Sequence, residues 1–356
     1  MRNHEVTTEQ FLLNDQGEIA EPGWARKQVW TYRRDRIQAP RMRIKEWDYY
    51  LVIHDGKPYG DRSFAAAFTI SDDGYVGLQS CSILFPDAPA SEHTSTILNL
   101  FPMGKLHLPP SSSEGDVLYR DRKLSLAYRK KKQCRMIQGT FRDFHEGKKL
   151  EADIQLEEPV MDTMVIATPF DRKHAFYYNQ KINCMRASGT ITYGDETFTL
   201  HPDTDFGTLD WGRGVWTYDN TWYWGSGNGY ADGCMFGFNI GYGFGNTQAA
   251  TENIIFCNGR AHKLDDVEIR IPGDVSLLDM KSPRYMEPWE IYESGGRFEM
   301  TFTPTLDRSA KMDFKVIVSD QHQVFGRMNG KAVLDDGRTL AVRDLLCFIE
   351  KVHNKY

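Results

Sequence analysis

Short runs of apolar, β-branched and aromatic residues recur along most of the chain, and most of them end at a turn signal. Trp47–His54 is followed by Asp55-Gly56, and Lys331–Leu334 leads through Asp335-Asp336-Gly337 into Arg338–Val342. Runs of this length and composition, joined by Asp-Gly or Gly-rich turns, are typical of β-hairpins. The pattern predicts an all-β fold whose antiparallel sheet curls or closes to protect its edges.

The densest aromatic cluster lies in the middle of the chain, where glycines are interleaved with tryptophans. Four of the eight tryptophans fall within fourteen residues, namely Trp211, Trp216, Trp222 and Trp224. One interpretation is the core of a twisted sheet, in which glycines relieve crowding at bends and bulges. The other is an aromatic pocket with a few convergent polar groups, as small-molecule sites have. Composition alone favours the packing role.

The length of the chain bounds the number of domains. A chain of 356 residues is long for one hydrophobic core, so two domains are expected. We assign residues 1–40 to an N-terminal arm that packs on the barrels, 41–180 to a first β-domain and 181–356 to a second. An internal echo agrees with two β-domains, because Gly189–Leu200 and Gly330–Val342 each read as strand, acidic-glycine turn and strand.

Several partners are disfavoured by composition and motif. The formal charge of −6 gives no reason to expect nucleic acid. No stretch approaches 18 consecutive apolar residues, and the amino terminus has no apolar signal core. The spacing of Gly241, Gly243 and Gly245 is not that of a dinucleotide or phosphate loop, and no histidines have metal-ligand spacing. We therefore expect no membrane span, no cofactor and no bound metal.

The cysteines are scattered and form no Cys-x-x-Cys pair. With no export signal in view, we expect them to be reduced thiols, mostly small core residues, in a cytoplasmic protein. The six positions are Cys81, Cys134, Cys184, Cys234, Cys257 and Cys347.

A set of motifs in the second half resembles those of a known family. The motifs are Tyr177-Tyr178-Asn179-Gln180, Gly189-Thr190-Ile191, Asp210-Trp211-Gly212-Arg213-Gly214, Thr251-Glu252-Asn253 and the closing Phe348-Ile349-Glu350. On these motifs most of the chain resembles the family called domain of unknown function 2804. More remotely, it is similar to lipocalin-like (calycin) hydratases and cyclases, among them carotenoid hydratases, AttH-type proteins and fungal Diels–Alderases. This second resemblance implies two tandem lipocalin-like antiparallel β-barrels, with a ligand cavity in or between them.

Asp210 is the first candidate for a catalytic acid. Its neighbours Leu209 and Trp211 indicate a partly desolvated carboxyl, and burial favours the protonated form that a general acid needs. Arg213 would orient this acid or an anionic group of the substrate. The structural alternative is an Asp210–Arg213 ion pair that holds the barrel junction. Glu252 is the third residue that we assign to catalysis. It enters an apolar run and needs a partner, so it faces the same cavity or bonds to exposed strand ends.

The aromatic residues of the central stretch are the candidates for ligand contact. Trp222 and Trp224 are alternate residues, so they point to the same side of a strand. Their faces would exclude water and stabilise a cationic intermediate. We assign to substrate binding Trp211, Trp216, Tyr218, Trp222, Trp224 and Asn253, with plain barrel packing as the alternative for each tryptophan.

Three functions remain open at this stage. The resemblance implies a cofactor-free enzyme that uses acid–base chemistry (hydratase, dehydratase, isomerase or cyclase type) on a small, largely hydrophobic molecule. The second is a non-catalytic carrier of a lipid or terpenoid. The third is carbohydrate binding or hydrolysis, and hydrolysis would need Asp205 or Asp219 to converge with Asp210. The oligomeric state and the substrate stay open.

Overall fold

The computed structural model describes residues 2–313 and 318–355. Its regular structure is β-strand apart from two three-residue 3-10 helices, Arg34–Arg36 and Arg41–Arg43. The predicted all-β class is confirmed. Among the described residues, no helix is long and apolar enough to cross a lipid bilayer.

The strands are short in the N-terminal arm and longer where they enclose the two main cores. Up to residue 215 they are β1 (Gln10–Phe11), β2 (Gly23–Ala25), β3 (Trp30–Thr31), β4 (Ile44–His54), β5 (Phe64–Asp72), β6 (Val76–Phe85), β7 (Ser91–Leu100), β8 (Val117–Arg120), β9 (Leu124–Lys131), β10 (Cys134–His145), β11 (Lys148–Glu157), β12 (Met164–Pro169), β13 (Phe176–Tyr193), β14 (Glu196–Leu200) and β15 (Phe206–Val215). The remainder are β16 (Asp219–Ala231), β17 (Cys234–Tyr242), β18 (Ile254–Cys257), β19 (Arg260–Lys263), β20 (Val267–Arg270), β21 (Trp289–Glu293), β22 (Phe298–Asp313), β23 (Val318–Val333) and β24 (Thr339–Lys355).

The first sheet contains thirteen of the described strands, and its main path runs β7-β6-β5-β4-β15-β13-β11-β10-β9-β8. The long strand β13 turns a corner. Its first half pairs with β12 and β15, and its second half pairs with β11 and β14. The register shifts between Ile182 and Met185, where a bulge bends the strand. The sheet thereby curls around an apolar core that includes Phe68, Ile137 and Trp211.

The second sheet contains nine of the described strands in the order β19-β18-β17-β16-β24-β23-β22-β21-β20, all antiparallel. It curls around its own core, with Phe236, Trp289 and Phe298 at the centre. The predicted tandem arrangement of two curled antiparallel sheets is confirmed. In neither sheet are the two end strands paired within residues 2–313 and 318–355.

The change from one sheet to the other comes between Val215 and Asp219. Residue 180, where we expected a domain boundary, lies inside β13, and that strand belongs wholly to the first sheet. A third apolar cluster joins the sheets, with Leu51 and Phe206 on one side and Phe348 on the other. Strand β2 of the N-terminal arm pairs with β12 and adds Trp24 to this cluster.

Two of the six cysteines are bonded to each other. Cys234 on β17 and Cys257 on β18 form a disulfide, with their Cα atoms 5.9 Å apart. The expectation that all six are reduced thiols is therefore wrong for this pair. Sequence spacing gave no signal, since 23 residues separate the two and only strand pairing brings them together. The other four are free, and Cys81, Cys184 and Cys347 are buried.

Candidate functional site

A cavity of about 540 Å³ lies between the two sheets. One wall is the outer face of the first sheet, contributed by β4 to β7, β13 and β15. The other wall is contributed by β16, β22, β23 and β24 of the second sheet. The cavity is therefore a cleft between the two curled sheets, of the size that small-molecule sites usually have.

A row of polar side chains crosses the first wall. Lys181, Asp210 and Tyr49 are direct neighbours on β13, β15 and β4, and lateral neighbours in a sheet point to the same face. The row continues through Thr69, Ser80 and Thr96 on β5, β6 and β7. All six residues line the cavity.

The Asp210–Gly214 segment divides its side chains between the two faces of the sheet, because successive residues of a strand alternate. Asp210 faces the cavity, whereas Trp211 and Arg213 lie in the interior of the first sheet. Gly212 lies under the indole of Trp47, and a Cβ there would come 2.0 Å from Cζ2. Only glycine leaves room for this tryptophan to lie along the cavity wall.

Two donors hold the Asp210 carboxylate. Lys181 Nζ lies 2.8 Å from Oδ1, and Asn179 Nδ2 donates to the same oxygen at 2.6 Å. Lys181 Nζ also lies 3.9 Å from the ring centre of Trp224, so the ammonium sits between a carboxylate and an aromatic face. These contacts fix the position of the Asp210 carboxylate on the cavity wall. The alternative of an Asp210–Arg213 ion pair is not formed, because the two side chains are on opposite faces.

Arg213 and Trp211 were expected to contact the substrate, but neither side chain lines the cavity. Arg213 is fully buried and donates to Asp48 Oδ1 at 2.9 Å and to the carbonyl oxygens of Trp47 and Pro109. Its guanidinium lies 4.2 Å from the ring centre of Trp211. Neither residue reaches the cavity, so this pair supports the wall from behind.

On the second wall, Glu350 is the buried acid. Trp224, Glu350, Gln323 and Arg308 are lateral neighbours on β16, β24, β23 and β22. Trp222 Nε1 donates to Glu350 Oε1 at 3.0 Å, and Gln323 Nε2 donates to Oε2 at 3.0 Å. Burial raises the pKa of Glu350 to about 7. The hydrogen bond from Trp222 and the charge of Lys181 lower this pKa, but burial has the larger effect.

Aromatic rings enclose this end of the cavity. Trp216 lies 5.7 Å from Trp47, 5.2 Å from Trp222 and 5.8 Å from Tyr177, each in an edge-to-face arrangement. Its Nε1 is buried, and no acceptor reaches it from the described part of the chain. Trp222, Trp224 and Trp216 line the cavity.

A family model described as Domain of unknown function (DUF2804) matches residues 3–356. The chain belongs to this family. The resemblance that the motifs indicated is thus confirmed at the level of the family. No curated protein matches this DUF2804 chain in sequence.

Several solved structures are similar to the DUF2804 chain at low identity. An AttH-type protein of Nitrosomonas europaea has a TM-score of 0.49 and 14% identity, covering 87% of this chain and 92% of its own. Kievitone hydratase of Nectria haematococca has a TM-score of 0.48 and 10% identity, covering 98% of both chains. CghA with Sch210972 has a TM-score of 0.44 and 9% identity, covering 97% of this chain and 98% of its own. At these values the likenesses say nothing about the chemistry of this chain.

Three other predicted site residues lie outside the cavity of the DUF2804 chain. Glu252 is buried behind Tyr177, whose hydroxyl donates to Oε2 at 3.2 Å, and burial raises the pKa of this carboxyl. Asn253 accepts from the Gly241 amide and so joins the start of β18 to the end of β17. Tyr218 is 48% exposed and does not line the cavity.

The carboxyl pairs that carbohydrate hydrolysis would need are not formed. Asp205 is hydrogen-bonded to His54. It precedes Asp210 by five residues of extended chain, which places the two carboxylates roughly 16 Å apart. Asp219 is paired with His353 and Lys355 at the far end of β16. These two carboxyl pairs therefore give no support to carbohydrate hydrolysis, and carbohydrate binding stays an open alternative.

Sequence reasoning assigned no role to the polar residues that complete the cavity, although a signal existed for some. Glu350 interrupts a run of apolar residues in β24, and Lys181 follows Asn179 and Gln180 in a buried part of β13. A charged residue inside a buried strand requires a partner, and here the partners are on other strands. The residues concerned are Tyr49, Lys181, Arg308, Gln323 and Glu350.

Proposed function

We propose that this DUF2804 chain is an enzyme that transfers protons to and from a small, largely apolar molecule in the cavity between the sheets. The observation that carries the proposal is Glu350, a carboxyl on the cavity wall whose pKa is raised to about 7 by burial. Such a group holds a proton in a large fraction of molecules at neutral pH. A general acid is most effective when its pKa lies near the working pH.

The contacts of Glu350 orient the acid towards the cavity. Trp222 and Gln323 each donate to one of its oxygens, so the plane of the carboxyl is fixed by both neighbours. Gln323 Nε2 also lies 3.4 Å from the hydroxyl of Tyr49 on the opposite sheet. The acid is therefore held at the line where the two sheets meet, within reach of a molecule that touches both walls.

The reaction that fits this arrangement begins with protonation of an electron-rich C=C bond. The π pair takes the Glu350 proton and forms a C–H bond, which leaves a carbocation at the other carbon and a carboxylate at Glu350. The face of Trp222 stabilises that cation. A water molecule then forms a C–O bond and gives its proton to Glu350, or loss of a neighbouring proton to Glu350 gives an isomerised alkene.

Asp210 and Lys181 are assigned a supporting role in this scheme. Both described donors to Asp210 use Oδ1, and within residues 2–313 and 318–355 no donor reaches Oδ2. Oδ2 is thus available to accept a hydrogen bond from the attacking water. The charge of Lys181 also lowers the pKa of Glu350, which prevents a still larger rise.

The test is turnover in a metabolite extract from the cells that make the protein. Wild type is incubated with the extract, and mass spectrometry compares it with Glu350→Gln. We expect wild type to convert a compound by gain or loss of one water or without change of mass, and Glu350→Gln to slow this at least about 100-fold. Glu151→Gln, an exposed carboxyl paired with Lys149, is the matched control and should keep full turnover.

Equal turnover by wild type and folded Glu350→Gln would contradict the proposal. A compound that is retained on the protein but never converted would instead support the carrier alternative. Retention is measured in the same samples by native mass spectrometry, so one experiment separates the two functions.

A further inference from the structure

Arg308 on β22 is a cation on the cavity wall with only neutral partners. Its NH1 donates to Gln323 Oε1 at 2.9 Å, and its NH2 donates to Ser82 Oγ of the first sheet at 2.7 Å. Across residues 2–313 and 318–355, no carboxylate lies within ion-pair distance of it. The neighbouring cations Lys181 and Lys311 are each paired, with Asp210 and Asp320.

Arg308 has N–H donors that its described contacts do not use. A guanidinium carries five N–H groups in a planar fork, and the described contacts of Arg308 use two of them. Removing a charge from bulk water without a counter-ion is costly, and Arg308 is half-buried. A ligand that supplies the missing negative charge would offset that cost.

The surroundings of Arg308 suit an oxygen-rich group. Ser82 Oγ, which Arg308 contacts, also accepts from Thr94 Oγ1 at 2.9 Å. Thr69, Ser80 and Thr94 on the first sheet line the cavity as well. In the described contacts Ser82 Oγ only accepts and the Thr69 hydroxyl donates to nothing, so these two hydroxyls can donate to a carboxylate alongside the arginine.

Gln323 connects this position to the proposed acid. It accepts from Arg308 through Oε1 and donates to Glu350 through Nε2, so the guanidinium and the carboxyl are separated by one amide group. Two hydrogen bonds and the amide between them span roughly 8 Å at most. A molecule bound to Arg308 by one end would therefore present a carbon a few bonds away to Glu350.

We propose that Arg308 anchors a carboxylate of the ligand, so that the cavity takes an amphipathic acid with its apolar part between Trp222 and Trp224. The inference deepens the proposed function and rests on the same cavity. It assigns the polar end to Arg308 and the hydroxyls of β5 to β7. It assigns the reacting, apolar end to the aromatic rings around Glu350.

The test is calorimetric binding of matched acid and amide probes at about pH 6, where simple carboxylic acids are ionised. The pairs are 1-naphthaleneacetate with 1-naphthaleneacetamide and 4-phenylbutyrate with 4-phenylbutyramide. We expect wild type to bind the acid of at least one pair about tenfold or more tightly than its amide. Arg308→Gln should lose this preference, and Arg308→Lys should keep part of it.

Arg343→Gln is the matched control, because Arg343 is an exposed arginine paired with Asp232 on the second sheet away from the cavity. It should keep the full preference. The proposal is overturned if wild type binds neither acid or binds acid and amide alike, or if folded Arg308→Gln keeps the preference. The comparison of acid with amide binding on the wild type needs no variant, so it tests the proposal even if Arg308→Gln does not fold.

Binding to Glu350→Gln separates this inference from the proposed function. The acid preference should persist in that variant, since the proton donor is not the anchor. Persistent preference together with unchanged turnover would remove the acid role of Glu350 and leave the anchor in place. If Glu350→Gln loses turnover but the wild type shows no preference for the acid, the acid role of Glu350 stays and the anchor role of Arg308 is removed.

Discussion

Gly212 and Trp47 are direct neighbours on β15 and β4, and the indole of Trp47 occupies the space where a side chain at Gly212 would be. Trp47 in turn lies against Tyr177 and Trp216, the rings that close the aromatic end of the cavity. Gly212 is thus needed because it leaves space for the Trp47 indole in the wall of the site, and not because the backbone turns there. This explains why a glycine follows the Asp210-Trp211 pair in the middle of a strand.

Gly212→Ala should move the indole of Trp47 and loosen the aromatic end of the cavity. We expect a loss of about 1–3 kcal/mol in the free energy of unfolding, the usual cost of forcing atoms into a packed space. Urea unfolding measures it, and the Trp47→Leu background should reduce the loss. Gly139→Ala is the control, because its Cβ would meet nothing closer than the flexible end of Leu126, at 3.1 Å. A loss that is the same with and without Trp47 would contradict the account.

Glu350→Gln should make the stability of the protein less dependent on pH. The pKa of Glu350 is about 7 in the folded chain against an ordinary value of 4.5, so the unfolded chain loses this proton first as the pH rises. Wild-type stability therefore falls between about pH 4.5 and 7 relative to the variant, by up to about 3 kcal/mol. Unfolding at about pH 5 and pH 8 measures this difference. If the two proteins differ equally at both pH values, Glu350 is not held protonated by the fold.

Trp222→Phe should raise the pKa of Glu350 above its wild-type value. The variant lacks the hydrogen bond from Trp222, which in the wild type stabilises the carboxylate and lowers this pKa. Carbon-13 NMR of protein labelled at the glutamate carboxyl follows the titration, with the resonance assigned by its absence in Glu350→Gln. Trp216→Phe is the matched control: it removes an indole of the same cluster whose Nε1 reaches no acceptor in the described structure. A shift of equal size in both variants would show that packing, not the hydrogen bond, sets the pKa.

Arg213→Leu should destabilise the fold without changing ligand affinity. It leaves Asp48 buried without its cation, which costs about 3–5 kcal/mol. Chemical unfolding measures the loss, and Asp48→Asn in the same chain should recover part of it. Arg343→Leu, which breaks an exposed pair, should cost about 1 kcal/mol or less. A change in the affinity of folded Arg213→Leu for 1-naphthaleneacetate would contradict the supporting role.

The class of the fold could be predicted from the sequence because it depends on local signals. The Asp335-Asp336-Gly337 turn, for example, joins β23 to β24 as the hairpin pattern indicates. The point where one sheet gives way to the other could not be predicted in this way. Strand β13 runs through the expected boundary and changes its partners along its length, and those partners are distant in sequence.

The candidate site was partly predictable for a similar reason. Alternation along a strand correctly puts Trp222 and Trp224 on one side, facing the cavity. The same rule separates Asp210 from Trp211 and Arg213, which sequence proximity had grouped together. Glu350 meets Asp210 and Lys181 only through the packing of the two sheets, which no local pattern encodes.

The most direct measurement is the titration of the Glu350 carboxyl in the wild-type protein by carbon-13 NMR. The account predicts that this resonance is half-titrated at about pH 7, well above the ordinary glutamate value, and that it is missing in Glu350→Gln. A carboxyl that is already ionised at about pH 5 would contradict it, because no proton would then be available for the reaction at neutral pH.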